Sequence, residues 1–277
     1  MTTPERTHGP EFLRSQAGSL KSRMGVCHPG DKAIFRGHDL HRDLRHMDWI
    51  ELYVFGITGR RFSAKELELL HALWVYTSYP DARLWNNRVA ALAGSARSSA
   101  TLGLAGALAT SEAVIYGGYP FIRAIDFLRQ ARMRVSRGES LAEVVRQELQ
   151  ERRIYGYGRP INSKDERLPW LLELAGDLEL DRGPHLKLAQ EVETILSSRR
   201  QALRMNYAAL AAALAADLGM SPREFHLFVF PAFLAGMPPC LVEAAQRPEG
   251  GLFPLSCADL SYEGPAPRAW PGAGKRQ

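Results

Sequence analysis

Residues 63–74, SAKELELLHALW, carry two helix signals in one stretch. Ser63 and Glu66 form the Ser-x-x-Glu pattern of a capping box, in which the serine oxygen accepts from a free backbone N–H and the glutamate reaches back to another. Leu67, Leu70 and Trp74 then follow at intervals of three and four residues, which places them on one face of a helix. The stretch therefore predicts a helix that Ser63 caps.

The same signals recur along the chain. Ser140 with Glu143 and Ser221 with Glu224 repeat the capping-box pattern. Three glycines stand where helices would end in a left-handed cap: Gly94, Gly138 and Gly219. Helix start and end signals are frequent, and sustained alternation of apolar and polar residues is nearly absent. The chain is therefore predicted to be all-α.

One segment departs from the helical pattern. Residues 25–35 alternate and predict a short hairpin that turns at Pro29 and Gly30. The first 20 residues and the tail from Gly264 carry no such pattern, and we expect both termini to be flexible.

Composition excludes several classes of protein. The 277 residues are 45% hydrophobic with a net charge of +5, which excludes a disordered or collagenous chain. The basic residues are spread out, so we expect no nucleic-acid partner. The cysteines Cys27, Cys240 and Cys257 form no CxxC pair, which excludes a zinc ribbon and a disulfide framework.

The apolar stretch from Ala100 to Ile115 is interrupted by Glu112 and is shorter than the ~20 residues that a membrane span needs. It predicts a buried helix, and we expect no membrane partner. The polar N-terminus lacks the apolar core of a signal peptide, so we expect a cytoplasmic location.

Several short motifs carry a family resemblance through their order. AIFRGHDL is followed by FGITGR, then by RVAALAG, YGG and GYGRP, and then by an asparagine ahead of LGM. The positions of these motifs are 33–40, 55–60, 88–94, 116–118, 156–160, Asn206 and 218–220. Together they resemble the citrate synthase family, and the short chain resembles its citryl-CoA lyase branch.

The resemblance implies a citrate synthase-like, all-helical homodimer. Residues 1–116 and 213–277 would form a large domain and residues 117–212 a small one, with acyl-CoA as co-substrate and a carbonyl substrate bound in the cleft between them. The Ala/Gly-rich run from Ala100 to Ala109 would lie at the dimer interface. No covalently bound cofactor is expected.

The resemblance also shows where this chain departs from the family's chemistry. The family removes a proton beside a thioester with an aspartate, stabilises the enolate with a histidine, polarises a keto group with another, and holds carboxylates with arginines. The two principal histidines correspond here to Tyr116 and Arg159, and the aspartate to Ala208. A further substrate-contacting histidine corresponds to Ser78, and two arginines to Phe233 and Phe253, whereas Arg167 is retained.

These replacements predict negligible citrate synthesis. Ala208 has no group that takes a proton, and Phe233 and Phe253 cannot hold a carboxylate. Arg159 stays protonated, so it could polarise a carbonyl but not act as a base. We therefore predict an acyl-CoA-dependent enzyme that forms or cleaves a carbon–carbon bond on a carbonyl substrate other than oxaloacetate, with Tyr116 and Arg159 as its polar pair.

The remaining predicted site residues fall into two sets. The substrate-binding set is Ser78, Arg167, Asn206, Phe233 and Phe253. The cofactor-binding set is Gly156, Tyr157 and Gly158, whose glycines would let the backbone approach a ligand.

Alternatives stay open at this point. The chain could be a catalytically silent homologue that acts as a binding or regulatory protein, or its cleft could serve a metabolite unrelated to CoA. The residue that would replace the aspartate base has four candidates, Asp81, Glu112, Asp165 and Glu166. Glu112 would share the face of Tyr116 if the helix continued that far.

Two other clusters have simpler interpretations. His38, His41 and His46 are interpreted as a solvated helix face rather than a metal site. The arginines between residues 123 and 153 could attract the phosphates of CoA. The favoured interpretation is an exposed face on which they pair with Glu139, Glu143 and Glu148.

Overall fold

The structure, a computed structural model, describes residues 8–18, 20–159, 164–198, 203–251, 256–268 and 270. These residues form a helical protein with one small sheet, which confirms the predicted all-α class. The helices are α1 (Pro10–Gln16), α2 (Trp49–Thr58), α3 (Ala64–Thr77), α4 (Trp85–Ser95), α5 (Ala100–Thr110), α6 (Tyr119–Ser136), α7 (Leu141–Glu151), α8 (Leu168–Asp177), α9 (Pro184–Ser197), α10 (Tyr207–Asp217), α11 (Pro222–Val229) and α12 (Met237–Ala245). Short 3₁₀ helices span Phe230–Ala235 and Cys257–Asp259.

The sheet is antiparallel, with the order β1 (Gly25–His28), β2 (Lys32–Phe35) and β3 (His38–Asp39). Gly25 pairs with Phe35 and His28 with Lys32, which confirms the predicted hairpin. The third strand was not predicted.

The interpretation of His38, His41 and His46 as a helix face is wrong, because these residues lie on β3 and in turns. Asp39 Oδ1 accepts from the N–H groups of His41 and Arg42, a local bond that favours a turn over a helix. Within the described ranges, no group of three or more His, Cys, Asp or Glu residues is arranged to hold a metal ion.

Two of the three predicted capping boxes are confirmed, at Ser63 and at Ser221. The box at Ser140 is wrong, since Ser140 precedes α7 but makes no side-chain cap. Its intended partner, Glu143, instead accepts from Arg146 at 2.8 Å and from Gln147 at 2.7 Å. The Glu143 carboxylate therefore binds the long side chains of Arg146 and Gln147, about one turn further along the helix, instead of the backbone at Ser140.

Two of the three predicted glycine helix caps are also confirmed, and one is wrong. Gly138 and Gly219 have φ of 96° and 78°, as left-handed helix ends require. Gly94 is not a cap but lies inside α4, which packs against α12. A Cβ there would lie 2.2 Å from the carbonyl oxygen of Leu241, so Gly94 is needed for the close approach of the two helices.

Helix α10 is the centre of the core. Every residue from Tyr207 to Ala216 is buried, and the alanines let α6 and α9 pack closely on it. The largest cluster of buried side chains extends from Ile50 to Val229 and so joins helices of both predicted domains. The domain boundaries at 117 and 212 stay a prediction.

The apolar stretch at 100–115 differs from expectation, and a second apolar stretch is broken into separate elements. The predicted buried helix at 100–115 ends at Thr110, and Ala107 is its one buried residue within α5. Leu102 on the same helix is 74% exposed. By length and composition residues 222–245 could also cross a membrane, but they form α11, a 3₁₀ helix and α12, and Phe225, Phe228 and Met237 are buried within the protein.

Candidate active site

The loop at residues 156–159 is tied to the start of α10. Asn206 donates from its backbone to the oxygen of Gly156 at 2.9 Å and from its side chain to the oxygen of Gly158 at 2.6 Å. Gly156 has φ of 93°, and the buried Tyr157 donates its hydroxyl to the oxygen of Ala189. The cofactor-binding role of Gly156, Tyr157 and Gly158 stays a prediction, and the structure gives Gly156 and Tyr157 a role in packing.

Arg167 is held by a buried carboxylate. Its guanidinium donates to both oxygens of Asp165, at 2.8 and 2.9 Å, and lies over the rings of Tyr207 and Tyr79, 4.2 and 5.4 Å from their centres. The Asp165 side chain is 1% exposed and also accepts from the Tyr207 N–H, at the start of α10. Arg167 is thus already engaged with an anion.

The pKa of Asp165 reflects these contacts. Burial acts to raise the pKa, but the hydrogen bonds and charge of Arg167, together with the Tyr207 N–H, outweigh burial and leave the pKa below its ordinary value of 3.8. A carboxylate stabilised in this way is a poor proton acceptor. Asp165 is therefore a weak candidate for the missing base.

Arg159 is engaged in a similar way. Its Nη1 donates to the oxygen of Lys164 at 2.6 Å and to Glu166 Oε2 at 3.0 Å. The hydroxyl of Tyr79 donates to the other oxygen of Glu166, and this bond, with Arg159, keeps the pKa of Glu166 below its ordinary value. The positive charges of Arg159 and Arg167 are thus balanced by adjacent carboxylates.

Contacts through intermediate residues link three of the predicted substrate-binding residues, Ser78, Phe233 and Asn206. Ser78 Oγ lies 2.7 Å from the oxygen of Trp74 and 3.1 Å from that of Ala232, so it joins the end of α3 to the segment that carries Phe233. The rings of Phe233 and Phe121 are 6.4 Å apart, and Phe121 is 6.0 Å from Tyr207, the residue after Asn206. Phe253 lies outside the described residues.

Tyr116 lies in the loop between α5 and α6, with φ of 51°, and the residue is 41% exposed. The expectation that Glu112 shares a helix face with it is wrong, because α5 ends at Thr110. Gly117 and Gly118 fold back so that the Gly118 N–H donates to the oxygen of Ser111. A Cβ on Gly117 would lie 2.7 Å from that same oxygen, so the turn requires glycine.

Ala208 is buried near the start of α10, where its N–H donates to Asn206 Oδ1. The helix carries no carboxylate before Asp217 at its far end. Another candidate base, Asp81, is held by Arg83 through both oxygens. Neither position supplies an unengaged base at the start of α10.

A cavity beside the glycine turn holds an acid and an imidazole that the sequence did not connect. It is lined by Ser111, Glu112, Gly118, His226, Phe230 and Phe233 among others, with a volume of about 10 Å³. His226 Nε2 lies 3.5 Å from Glu112 Oε1. His226 was missed because a lone histidine in the apolar α11 has no sequence signal that links it to the α5–α6 loop.

Three of the arginines between residues 123 and 153 pair with glutamates as the favoured interpretation expects. Arg134 binds Glu139, Arg146 binds Glu143, and Arg152 binds Glu148. These pairs lie on α6, α7 and the turns beside them, and they confirm the predicted pairing for these three arginines. The side chain of Arg146 is 50% exposed, whereas that of Arg134 is only 28% exposed.

Comparison with solved structures places these features in a known architecture. Citryl-CoA lyase from Hydrogenobacter thermophilus superposes with a TM-score of 0.79 at 22% identity, over 93% of this chain and 99% of that one. ATP citrate lyase from Methanosaeta concilii, in complex with (3S)-citryl-CoA, gives 0.73 at 16% identity over 96% of this chain and 46% of that one. Citrate synthase from Thermotoga maritima MSB8 superposes with a TM-score of 0.63 at 16% identity, over 83% of this chain and 62% of that one. No protein-family model and no curated protein sequence matches the chain.

Proposed function

We propose that this chain, which has the helical fold of citryl-CoA lyase and citrate synthase, forms or cleaves a carbon–carbon bond in a CoA thioester. The observation that carries the proposal is the superposition on citryl-CoA lyase, which covers nearly the whole of both chains. Fold alone does not fix chemistry. The substrate class is therefore argued from the site residues.

The site favours a carbonyl substrate other than oxaloacetate. Arg159 and Arg167 are each held by a carboxylate, and Phe233 contributes no donor. A dicarboxylate would meet little net positive charge here, and its negative charges would be desolvated without partners. A carbonyl compound with fewer charges fits this environment better.

The proposal is tested by binding and by turnover. Because a ligand that binds only the native state stabilises it, acetyl-CoA at 100 times its Kd should add about 2.7 kcal/mol of stability and raise the Tm. We expect CoA thioesters to raise the Tm and ATP, a control for nucleotide binding, to leave it unchanged. We also expect no citrate above background from acetyl-CoA and oxaloacetate.

Two results would count against the proposal. If no CoA thioester shifts the Tm, the assignment of CoA fails. If the purified protein makes citrate at rates typical of enzymes, the argument from Phe233 and the paired arginines fails, and oxaloacetate returns as the substrate.

A catalytically silent binding protein is the second candidate. The observation in its favour is the small size of the cavity, since Phe230 and Phe233 leave about 10 Å³, close to the space for one water molecule. A protein of this kind would bind CoA thioesters, and its Tm would rise, but it would transfer no proton and break no carbon–carbon bond.

We also infer that the chain is a homodimer that buries α5. This helix is made of small and apolar residues, yet Ala107 alone is buried among them, and Leu102 is among the most exposed leucines of the described chain. An apolar helix face of this kind marks an interaction surface. A second copy of the chain satisfies it without requiring another protein.

Replacing Leu102 by glutamate should convert a dimer into a monomer, because it places a charge in the apolar contact. Sedimentation velocity of the two proteins at equal concentration measures the change. Leu13→Glu is the matched control, since Leu13 is 68% exposed on α1. A native chain that sediments as a monomer, or a Leu102→Glu variant that stays dimeric, would contradict the inference.

A further inference from the structure

Two loops of the chain together hold a carboxylate. The hydroxyl of Tyr79, in the loop between α3 and α4, donates to one oxygen of Glu166, and Nη1 of Arg159 donates to the other oxygen at 3.0 Å. Each oxygen of the carboxylate thus has its own donor, and one of the two donors is charged. Tyr79 and Arg159 form what we call the carboxylate clamp, and the chain itself supplies the carboxylate that fills it.

Both donors of the clamp are held in place by contacts of their own. The backbone oxygen of Tyr79 accepts from Nδ2 of the buried Asn87, and a Cβ on Gly236 would lie 2.5 Å from that same oxygen, so the loop packs tightly there. Arg159 belongs to the loop that Asn206 bonds to the start of α10, and its side chain is 15% exposed. The clamp is therefore preorganised and does not depend on Glu166 for its position.

Glu166 is the exposed member of this arrangement. Its side chain is 56% exposed, whereas that of the neighbouring Asp165 is 1% exposed. Asp165 joins Arg167 to the start of α10 and is part of the fold. An ion pair whose carboxylate is largely exposed contributes little to stability. Removing the Glu166 side chain should therefore uncover the two donors without unfolding the protein.

The clamp lies within the predicted substrate-binding region. Arg159 is the residue predicted to polarise the substrate carbonyl, and the guanidinium of Arg167 lies 5.4 Å from the centre of the Tyr79 ring. A substrate carboxylate that reached the clamp would find both donors engaged and would meet the negative charge of Glu166. Two like charges at such a short distance repel each other strongly in a partly desolvated site. An uncharged group would meet no such repulsion.

We propose that Glu166 is a specificity-determining residue, whose carboxylate fills the clamp of Tyr79 and Arg159 and so excludes substrates that carry a carboxylate beside the reacting carbonyl group. This inference rests on the proposed function and narrows its substrate class to carbonyl compounds that are uncharged next to the reacting carbon. Specificity of this kind comes from repulsion of the wrong ligand as much as from attraction of the right one. The chain's own glutamate supplies the repulsion.

The test uses pyruvate, a keto acid with one carboxylate, as the probe. Calorimetry should detect at least tenfold tighter binding of pyruvate to Glu166→Ala than to the unmodified protein, because a hydrogen bond to a charged group contributes about tenfold or more. Methyl pyruvate, which lacks the negative charge, should show no such gain. Glu166→Gln removes the charge but keeps the volume of the side chain, so its gain for pyruvate should be smaller.

Controls separate the clamp from a general change in charge. Glu139→Ala removes a glutamate that binds Arg134 beside α6, and it should leave pyruvate binding unchanged. Adding Arg159→Met to Glu166→Ala should abolish the gain. Adding Tyr79→Phe instead should reduce the gain by about two- to tenfold, because it removes one neutral donor. The Tm of each variant without ligand shows whether it is folded.

The outcomes distinguish this inference from the proposed function. Equal binding of pyruvate by the unmodified protein and by the folded Glu166 variants overturns the inference. A gain that persists after Arg159→Met also overturns it, since the carboxylate would then bind elsewhere. A failure of every CoA thioester to raise the Tm overturns the proposed function, but it does not alter the binding of pyruvate expected for Glu166→Ala.

Discussion

Replacing Asp165 by asparagine is expected to lower the free energy of unfolding by about 3–5 kcal/mol at pH 7. The substitution keeps the shape of the side chain and an oxygen that can accept from the Tyr207 N–H. It removes the negative charge that both guanidinium bonds of Arg167 use. Because Arg167 is 24% exposed and packed on Tyr79 and Tyr207, its charge would remain largely desolvated without a partner. Urea-induced unfolding measures this loss of free energy, provided that the two proteins show the same dependence of the free energy of unfolding on urea concentration.

The chain contains a matched control for this substitution. Asp81 and Arg83 form the same Asp-x-Arg pair, but the guanidinium side chain of Arg83 is 89% exposed. Solvent screens an exposed pair of this kind, so Asp81→Asn should cost no more than about 1 kcal/mol. Equal losses at the two positions would contradict the argument that burial decides the effect.

The effect at Asp165 should also depend on pH with a defined sign. The pKa of Asp165 is lowered in the folded chain, so its contribution to stability is complete above the ordinary pKa of 3.8 and is lost as pH falls through the lower, folded value. The difference between the unmodified chain and Asp165→Asn should therefore be constant near neutrality and shrink below about pH 4. A difference that grows on acidification would contradict this assignment.

The fold could be predicted from sequence where local bonds decide it. Ser63 and Ser221 cap their helices as expected, because each capping box is complete within four residues. Ser140 fails because Arg146 and Gln147, one turn further on, compete for Glu143. Local patterns therefore predict an element when no nearby group offers its residues a stronger partner.

The candidate site was predictable in part. The family resemblance assigned Gly156, Asn206 and Arg167 to one binding cleft, and the loop at Gly156 is bonded to Asn206. The spacing could not show that Asp165 would neutralise Arg167. That outcome depends on how the start of α10 buries the carboxylate, which is a tertiary contact.

The pair of Glu112 and His226 lies beyond sequence reasoning for the same reason. Glu112 was considered as a partner of Tyr116 on a continuing helix, but α5 ends at Thr110 and the chain turns through Gly117. The turn brings Glu112 to α11 instead, where it meets an imidazole. A helix end displaced by a few residues thus changed which side chain Glu112 meets.

Gly156→Ala is expected to lower the free energy of unfolding by about 2–6 kcal/mol. Two costs add. The φ of 93° strains any residue with a Cβ, by about 1–3 kcal/mol. The new Cβ would also lie 2.6 Å from the Cβ of Ala209 and 3.0 Å from its backbone nitrogen, and overpacking of this kind costs typically about 1–3 kcal/mol.

Gly138 separates the two costs, because its φ is 96° and a Cβ there meets nothing within 4 Å. Gly138→Ala should therefore show the strain alone, about 1–3 kcal/mol, and the excess loss in Gly156→Ala measures the contact with α10. Adding Ala209→Gly removes one clashing methyl group from the Gly156→Ala variant. In Gly138→Ala the same change should cost about 2 kcal/mol, because glycine in a helix costs about 1 kcal/mol and the buried methyl group of Ala209 contributes about another. A smaller cost in the Gly156→Ala variant measures the relief of the contact with α10. Equal losses for the two alanine variants would mean that the loop at Gly156 moves away from α10 freely. The bonds from Asn206 to Gly156 and Gly158 would then not fix the position of Arg159.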